Sequence, residues 1–206
     1  MRDKIKKVPI PLCGVMLGLA TLGNLLQSYS EGVRYVCGIA AAFLLLLILL
    51  KLIMFPQMIK EDLKNPIMAS VAGTFPMALM LLSTYVKPFI GTAAFVIWIA
   101  AIALHIVLII WFTAKFIVNL KLPKVFASYY IVYVGIAVAA VTAPAYNQTG
   151  IGTAAFWFGL VTLVILLVLV TTRYVKCREV PEPANMTELI LDVIDYITDV
   201  KISSKE

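Results

Sequence analysis

Long apolar runs without charged residues dominate the pattern of this chain. Residues 125–172 contain no Asp, Glu, Lys or Arg and are broken only by a turn-like segment, APAYNQTG, at residues 143–150. Because about 20 apolar residues cross the hydrocarbon core of a bilayer, this run is long enough for two crossings. The charge-free stretches together predict a six-helix membrane domain over residues 9–174, with helices at residues 9–29, 33–54, 66–86, 91–118, 126–143 and 152–174.

Composition supports the same class of protein. Hydrophobic residues make up 62% of the chain, and the mean hydropathy is +0.99. Since the backbone must satisfy its own hydrogen bonds in lipid, apolar runs of this length are expected to be helices. We therefore predict an all-α integral membrane protein in contact with the lipid bilayer. Its basic start and first apolar run are expected to form an uncleaved helix rather than a signal peptide.

Positive charge is distributed unevenly between the predicted loops. One set of loops holds thirteen Lys and Arg residues, whereas the opposite set holds only Arg34 and Lys87. Cytoplasmic loops carry the positive excess, so residues 1–8 and 175–206 are predicted to be cytoplasmic parts of a multi-pass plasma (cytoplasmic) membrane protein. The formal charge of +6 is then a topology signal, and no folded basic face indicates nucleic acid as a partner. Lys51 is expected to reach lipid headgroups.

The six predicted helices differ in the bulk of their side chains. The second, fourth and sixth contain the runs FLLLLILL, IVLIIWF and LVILLVLV, whereas the first, third and fifth are rich in small and polar residues. Small residues let helix backbones approach closely in lipid, and polar residues are tolerated where they face protein or a wet cavity. We therefore predict three hairpins in which the odd helices are inner and the even helices are outer.

Two local features belong to these inner helices. Gly14 and Gly18 form a small-xxx-small pair, which predicts close helix packing along the first helix. Pro76 removes one backbone hydrogen bond and its ring clashes with the carbonyl of Ala72, so it is expected to kink the third helix. Alternatively, Pro76 causes a bend that is tolerated and has no function.

Four segments resemble the tellurite-resistance/dicarboxylate transporter family, which includes the plant slow anion channels. In chain order they are VPIPLCGVMLG at 8–18, NPIMAS with TFP at 65–70 and 74–76, YIVYVGIA with VTAP at 130–137 and 141–144, and PEPA at 181–184. The resemblance implies ten helices in five hairpins, a central pore lined by the odd helices, and a trimer. It implies membrane transport of small anions or C4-dicarboxylates.

The sequence departs from this family plan after Met186. Where the family continues into a seventh apolar helix, residues 187–200 read TELILDVIDYITDV, which is amphipathic and carries four acids. We expect this segment to form a short helix on the membrane surface or to be disordered. Four helices and the family's gating phenylalanine, which belongs to the ninth, are then missing. The chain is expected to be truncated after the sixth helix and to carry little flux by itself, so a non-transporting remnant or accessory membrane subunit is the alternative function.

The resemblance implies that polar and aromatic residues of the odd helices line the pathway. No Asp, Glu, Lys or Arg lies deep in these helices, so a neutral constriction that gates by dewetting is expected. Phe75 is the candidate constriction, with an ordinary packed aromatic as the alternative. Tyr130 and Tyr133 are either pore hydroxyls or interfacial belt residues. The pore-lining candidates are Thr21, Asn24, Ser70, Thr74, Phe75, Tyr130 and Tyr133.

Enzyme chemistry has little support in the sequence. His105 is the single histidine, and no acid lies in any predicted span, so the ligands of a metalloprotease are not present. Ser70 lacks the surrounding G-x-S-x-G of a serine hydrolase. We therefore expect neither an enzyme nor a bound cofactor or metal. His105 is expected to be neutral and hydrogen-bonded to a neighbouring helix.

Overall fold

The computed structural model describes residues 2–118 and 122–176 of the chain, and these residues are helical without any β-strand. Helices form because the apolar runs are long and each run must satisfy its own backbone hydrogen bonds. Five helices are long and apolar enough to cross a membrane, and a sixth, at the N-terminal end, is shorter. In chain order they are α1 (Leu12–Leu26), α2 (Glu31–Met54), α3 (Pro66–Ile90), α4 (Thr92–Ile117), α5 (Tyr129–Tyr146) and α6 (Thr149–Lys176).

The helices pair into three hairpins, α1 with α2, α3 with α4, and α5 with α6. The hairpins meet through their odd members, since α3 packs against α1 on one side and against α5 on the other. The inner helices are also the more buried ones. In an 18-residue apolar stretch of each helix, 56% of the residues of α3 and 44% of those of α5 are buried, against 22%, 28% and 22% for α2, α4 and α6. The predicted all-α arrangement of inner odd helices and outer even helices is confirmed for these five spans.

Three apolar clusters hold the hairpins together. The first centres on Trp98 and joins α3, α4, α5 and α6, and the second centres on Phe112 and Tyr129 at the opposite end of these helices. The third centres on Met16 and Tyr85 and joins α1, α2 and α3. Because lipid tails are as apolar as these side chains, close packing rather than exclusion from water stabilises such clusters.

Two regions differ from the prediction. The segment between the second and third spans contains a further helix, Pro56–Asp62, where a simple loop was expected. Helix α1 begins at Leu12 rather than at Pro9, because residues 9–11 form a turn that contains two prolines. The predicted tail helix at residues 187–200 lies outside the described residues.

Lys51 is also placed differently. Its side chain is buried instead of reaching toward headgroups, and only 5% of the residue is exposed. The ammonium donates a hydrogen bond to the carbonyl of Val8 and lies 3.9 Å from a carboxylate oxygen of Asp62. The N-terminal segment and the helix Pro56–Asp62 fold over the end of α2 and bring these two groups to the ammonium.

Candidate functional site

Helix α3 is interrupted within the membrane domain. Two residues separate its first part, Pro66–Val71, from its second part, Thr74–Ile90. The interruption lies one turn before Pro76, which has no N–H to continue the hydrogen-bond pattern. The carbonyl of Ala72 instead accepts a hydrogen bond from the N–H of Phe75 at 3.1 Å.

Side-chain hydroxyls satisfy backbone groups on either side of this interruption. Ser70 donates to the carbonyl of Ile67 at 2.7 Å, and Thr74 donates to the carbonyl of Val71 at 2.7 Å. Both residues are buried, with 0% and 6% of their surface exposed. Hydroxyl groups of this kind are a usual way to complete a broken helix in lipid. These two predicted pore residues therefore lie at the interruption and contribute to its geometry.

Helix α5 is irregular at the matching position. A 3-10 turn, Val134–Ile136, separates the helical parts Tyr129–Tyr133 and Ala137–Thr142. Gly135 in this turn is buried, and a Cβ there would come within 2.6 Å of the Met77 sulfur and 3.2 Å of the His105 ring. Any side chain there would require Met77 to shift and would crowd the His105 ring, so glycine favours this close approach of α5 to α3 and α4.

The two irregular segments are in contact. A Cβ built on Gly73, in the α3 interruption, would lie 3.1 Å from the Ser70 carbonyl oxygen and 3.4 Å from Ile131 Cγ2 of α5. One turn after Gly73 along α3, Met77 lies beside Gly135 of α5. We call the residues 72–76 and 131–136 the paired interruption. The outer helices α2 and α6 show no such irregularity along their described lengths, and α4 ends in a π-helical turn, Thr113–Ile117, outside this contact.

His105 of α4 supports the paired interruption from the outer layer. Its side chain is fully buried, and its Nε2 lies 2.9 Å from the carbonyl oxygen of Val132. Because a carbonyl only accepts, Nε2 carries the hydrogen. No hydrogen-bond partner within the described residues reaches Nδ1. The predicted hydrogen bond to a neighbouring helix is thus confirmed.

The paired interruption contains a helix start and no charged side chain. The second part of α3 begins at Thr74, inside the membrane domain, and the N–H groups at a helix start carry partial positive charge. The inner helices contain no acid, and their only Lys or Arg, Lys87, lies near the far end of α3. Among the described residues, no cluster of three or more His, Cys, Asp and Glu is placed to hold a metal ion.

One face of α1 is open. Thr21 is exposed, and its hydroxyl donates to the carbonyl of Leu17 at 2.8 Å. A Cβ at Gly14 or Gly18 would meet no atom of the described structure within 4 Å, so the close packing expected of this pair is not made there. The close contacts belong to Gly23 and Gly38, which flank Tyr85. On α1, Gly23 therefore packs against α2 and α3, whereas Gly14 and Gly18 lie on the open face.

Polar contacts at the far end of α1 involve a residue that the sequence did not single out. Arg34, on the first turn of α2, donates to the side-chain oxygen of Asn24 at 3.3 Å and to the carbonyl of Thr84 at 3.5 Å. Its guanidinium lies 4.8 Å from the ring centroid of Tyr85, whose hydroxyl donates to the carbonyl of Ala20 at 2.6 Å. The predicted pore residue Asn24 therefore holds Arg34 between α1 and α3. The sequence signal for this role of Arg34 is a single arginine at the start of an apolar run.

A second polar group joins α3, α4 and α5 at the same end. The hydroxyl of Tyr146 donates to Ser83 at 2.9 Å, and the indole N–H of Trp98 donates to Thr142 at 2.7 Å. Lys87 donates to the carbonyl of Ala145. These residues are 44 or more positions apart in each pair, so local patterns do not reveal them. Among the described residues at this end, Arg34 and Lys87 each donate a hydrogen bond to a backbone carbonyl of a neighbouring helix.

The remaining candidates lie apart from one another. Tyr133 is half-buried and its hydroxyl is 2.7 Å from that of Thr113 on α4. Tyr130 is half-buried against the cluster around Phe112. Phe75 packs against the cluster of α1, α2 and α3. The structure therefore brings Ser70 and Thr74 together at the interruption, while Thr21 and Asn24 lie toward the opposite end of the bundle.

Comparison with known families agrees with this architecture. Residues 7–191 match the family described as the voltage-dependent anion channel, a match that covers all six helices and most of the chain. No curated protein matches the chain. The match confirms the family resemblance read from the four sequence segments, and it assigns the protein to membrane passage of anions. Apolar helices that can span a bilayer, a buried inner layer and this match together show that the chain belongs to the voltage-dependent anion channel family.

Proposed function

We propose that small anions or C4-dicarboxylates pass along the odd helices of this protein and are selected at the paired interruption. The observation that carries the proposal is that both interrupted helices lie in the inner layer and touch where they are irregular. Broken helices at membrane depth are tolerated where they are buried in protein or line a cavity. In transporters such breaks point helix N-termini at anionic groups.

The chemistry proposed for this site needs no charged side chain. The start of the helix Thr74–Ile90 supplies partial positive charge. The open face of α1 lines one side of the proposed path with Gly14, Gly18 and Thr21, of which Thr21 carries a hydroxyl. A neutral, narrow path excludes ions until it is wetted. Phe75 directly follows Thr74, and its proposed role is to narrow the path.

The proposed arrangement places both termini in the cytoplasm of a cell with the protein in its plasma membrane. The basic loops on that side attract anions to the pathway. Self-association into a trimer, as the family resemblance implies, belongs to the same proposal. The open face of α1 then borders the pathway instead of lipid.

Cysteine at Thr21 is expected to react with a small, water-soluble thiol reagent in a background without the three native cysteines. A thiol on a wet path ionises and reacts, whereas a thiol in lipid stays protonated and inert. A negatively charged methanethiosulfonate is expected to react faster than a positively charged one of similar size. The rate of modification, followed by mass spectrometry, measures this.

Ile39→Cys is the matched control, because Ile39 lies on α2 near the contact of Gly23 with Cys37 and is 70% exposed. It is expected to stay unmodified. Equal protection of both cysteines would show that the open face of α1 meets lipid or another polypeptide. That result would overturn the proposed pathway and favour an accessory role.

The proposed orientation has its own test. Asn147 follows α5 in a left-handed backbone conformation with φ of 55°, and it is exposed in the short turn before α6. Asn147→Cys is expected to be labelled by an impermeant thiol reagent outside intact cells, because the basic loops hold the other side in the cytoplasm. Lys64→Cys, on the opposite side, is the control. Labelling of Lys64→Cys alone would invert the topology.

A further inference from the structure

An apolar cavity of about 240 Å³ opens between the outer helices α2 and α4. It lies at the end of the bundle where α1 begins and α2 ends. Ile48 of α2 and Leu104 and Leu108 of α4 form its sides, and Phe75 of α3 forms part of its back wall. Ile59 of the helix Pro56–Asp62 also lines it. Residues of the α3 interruption also line it, so the cavity borders the paired interruption on the side of α2 and α4.

One cation lines this apolar space. Lys51 is 5% exposed, and its ammonium donates to the carbonyl of Val8. The carboxylate of Asp62 is 3.9 Å away, which is beyond hydrogen-bond distance. An ammonium has three N–H donors, so within the described residues Lys51 has donors left for another oxygen. A buried cation with incomplete partners is unfavourable unless an anion completes them.

The shape and the charge together specify one class of ligand. We propose that the cavity binds an acyl chain of an anionic phospholipid, whose phosphate accepts hydrogen bonds from Lys51. Because lipid tails are as apolar as the cavity walls, a tail enters from the bilayer with little gain over its surroundings. In an anionic lipid no headgroup cation offsets the phosphate charge, whereas the choline ammonium of phosphatidylcholine does, so charge-assisted hydrogen bonds from Lys51 favour the anionic lipid.

The charged groups around the mouth of the cavity fit this assignment. Lys115 donates to the carbonyl of Leu63 at 3.1 Å beside the cavity, which adds positive charge at its rim. Glu61 is paired with Lys64 at 2.7 Å. Asp62 is the acid paired with Lys51 among the described residues, and it competes with the phosphate for the ammonium.

The test is the thermal stability of the purified 206-residue chain in a neutral detergent. A ligand that binds the folded state raises the melting temperature. Phosphatidylglycerol is expected to raise it by about 2–4 °C, while phosphatidylcholine and glycerol phosphate, which is the headgroup alone, are expected to have little effect. Lys51→Met is expected to raise the half-maximal lipid concentration about tenfold. Asp62→Asn is expected to lower it.

A matched pair on α4 tests the cavity itself. Leu104 is 42% exposed and lines the cavity, whereas Ile106 is 45% exposed and does not. Leu104→Trp fills the mouth and is expected to abolish the lipid effect, and Ile106→Trp is expected to retain it. An equal response to phosphatidylcholine, or a full response in Leu104→Trp, would overturn the proposal. No response in the native chain, with a changed oligomeric state in Leu104→Trp, would assign the cavity to a second copy.

Discussion

Gly23→Ala is expected to destabilise the protein by about 1–3 kcal/mol, the usual cost of overpacking a close contact. The added methyl group would meet the hydroxyl of Tyr85, the Cβ of Cys37 at 2.8 Å and the carbonyl oxygen of Arg34 at 3.1 Å. Tyr85 cannot move away cheaply, since its ring fills the space beside Gly38 and its hydroxyl is bonded to Ala20. Equilibrium unfolding in mixed micelles would measure the loss.

Gly18→Ala is the matched control on the same helix. Nothing in the described structure lies within 4 Å of the new methyl group. Alanine is favoured over glycine in a helix by about 1 kcal/mol, so this variant is expected to be as stable as the native chain or more stable. If both substitutions had the same effect, the contact of Gly23 with Tyr85 would not hold α1 against α3.

Trp98→Ala is expected to cost about 3–5 kcal/mol of unfolding free energy, as large-to-small substitutions of buried tryptophan do. Trp98 is fully buried, and its ring lies 5.1 Å from that of Tyr146 and 6.0 Å from that of Phe95. The substitution also removes the donor to Thr142. Because this cluster joins α3, α4, α5 and α6, the variant is expected to loosen the contact of the second and third hairpins.

Trp157→Ala provides the comparison for that prediction. Trp157 lies on the outer helix α6 and is 58% exposed, so removing its ring leaves no cavity. Its effect is expected to stay within about 0.5 kcal/mol, as for other exposed sites. Equal losses for the two tryptophans would contradict the assignment of Trp98 to the inner core. The same micelle unfolding assay serves both variants.

Much of the fold was predictable because the bilayer imposes a strict rule on sequence. A helix that crosses it needs a long apolar run, and such runs can be read residue by residue. The second span, predicted at residues 33–54, is observed as Glu31–Met54, and the fourth, predicted at residues 91–118, is observed as Thr92–Ile117. The division into inner and outer helices was also readable, since bulky runs face lipid and small residues face helices.

The site was less predictable, because its groups meet across long separations. Thr74 and Pro76 mark the α3 interruption locally, but its contact with Gly135 and Ile131 requires the third hairpin to pack at one rotation. Tyr133 illustrates the limit: its place in the fifth span was readable, while the partner of its hydroxyl, Thr113, depends on how α4 and α5 face each other.

The sequence by itself determined the class of this protein, its spans and the residues that can break a helix. Hydropathy and proline geometry act at single positions, so they need no partner to be read. The tertiary structure alone decided that Gly23 rather than Gly18 is a packing glycine, because five positions turn a helix by about 140°. It also decided that Lys51 is buried, because the N-terminal segment and the helix Pro56–Asp62 supply Val8 and Asp62 from 43 and 11 positions away.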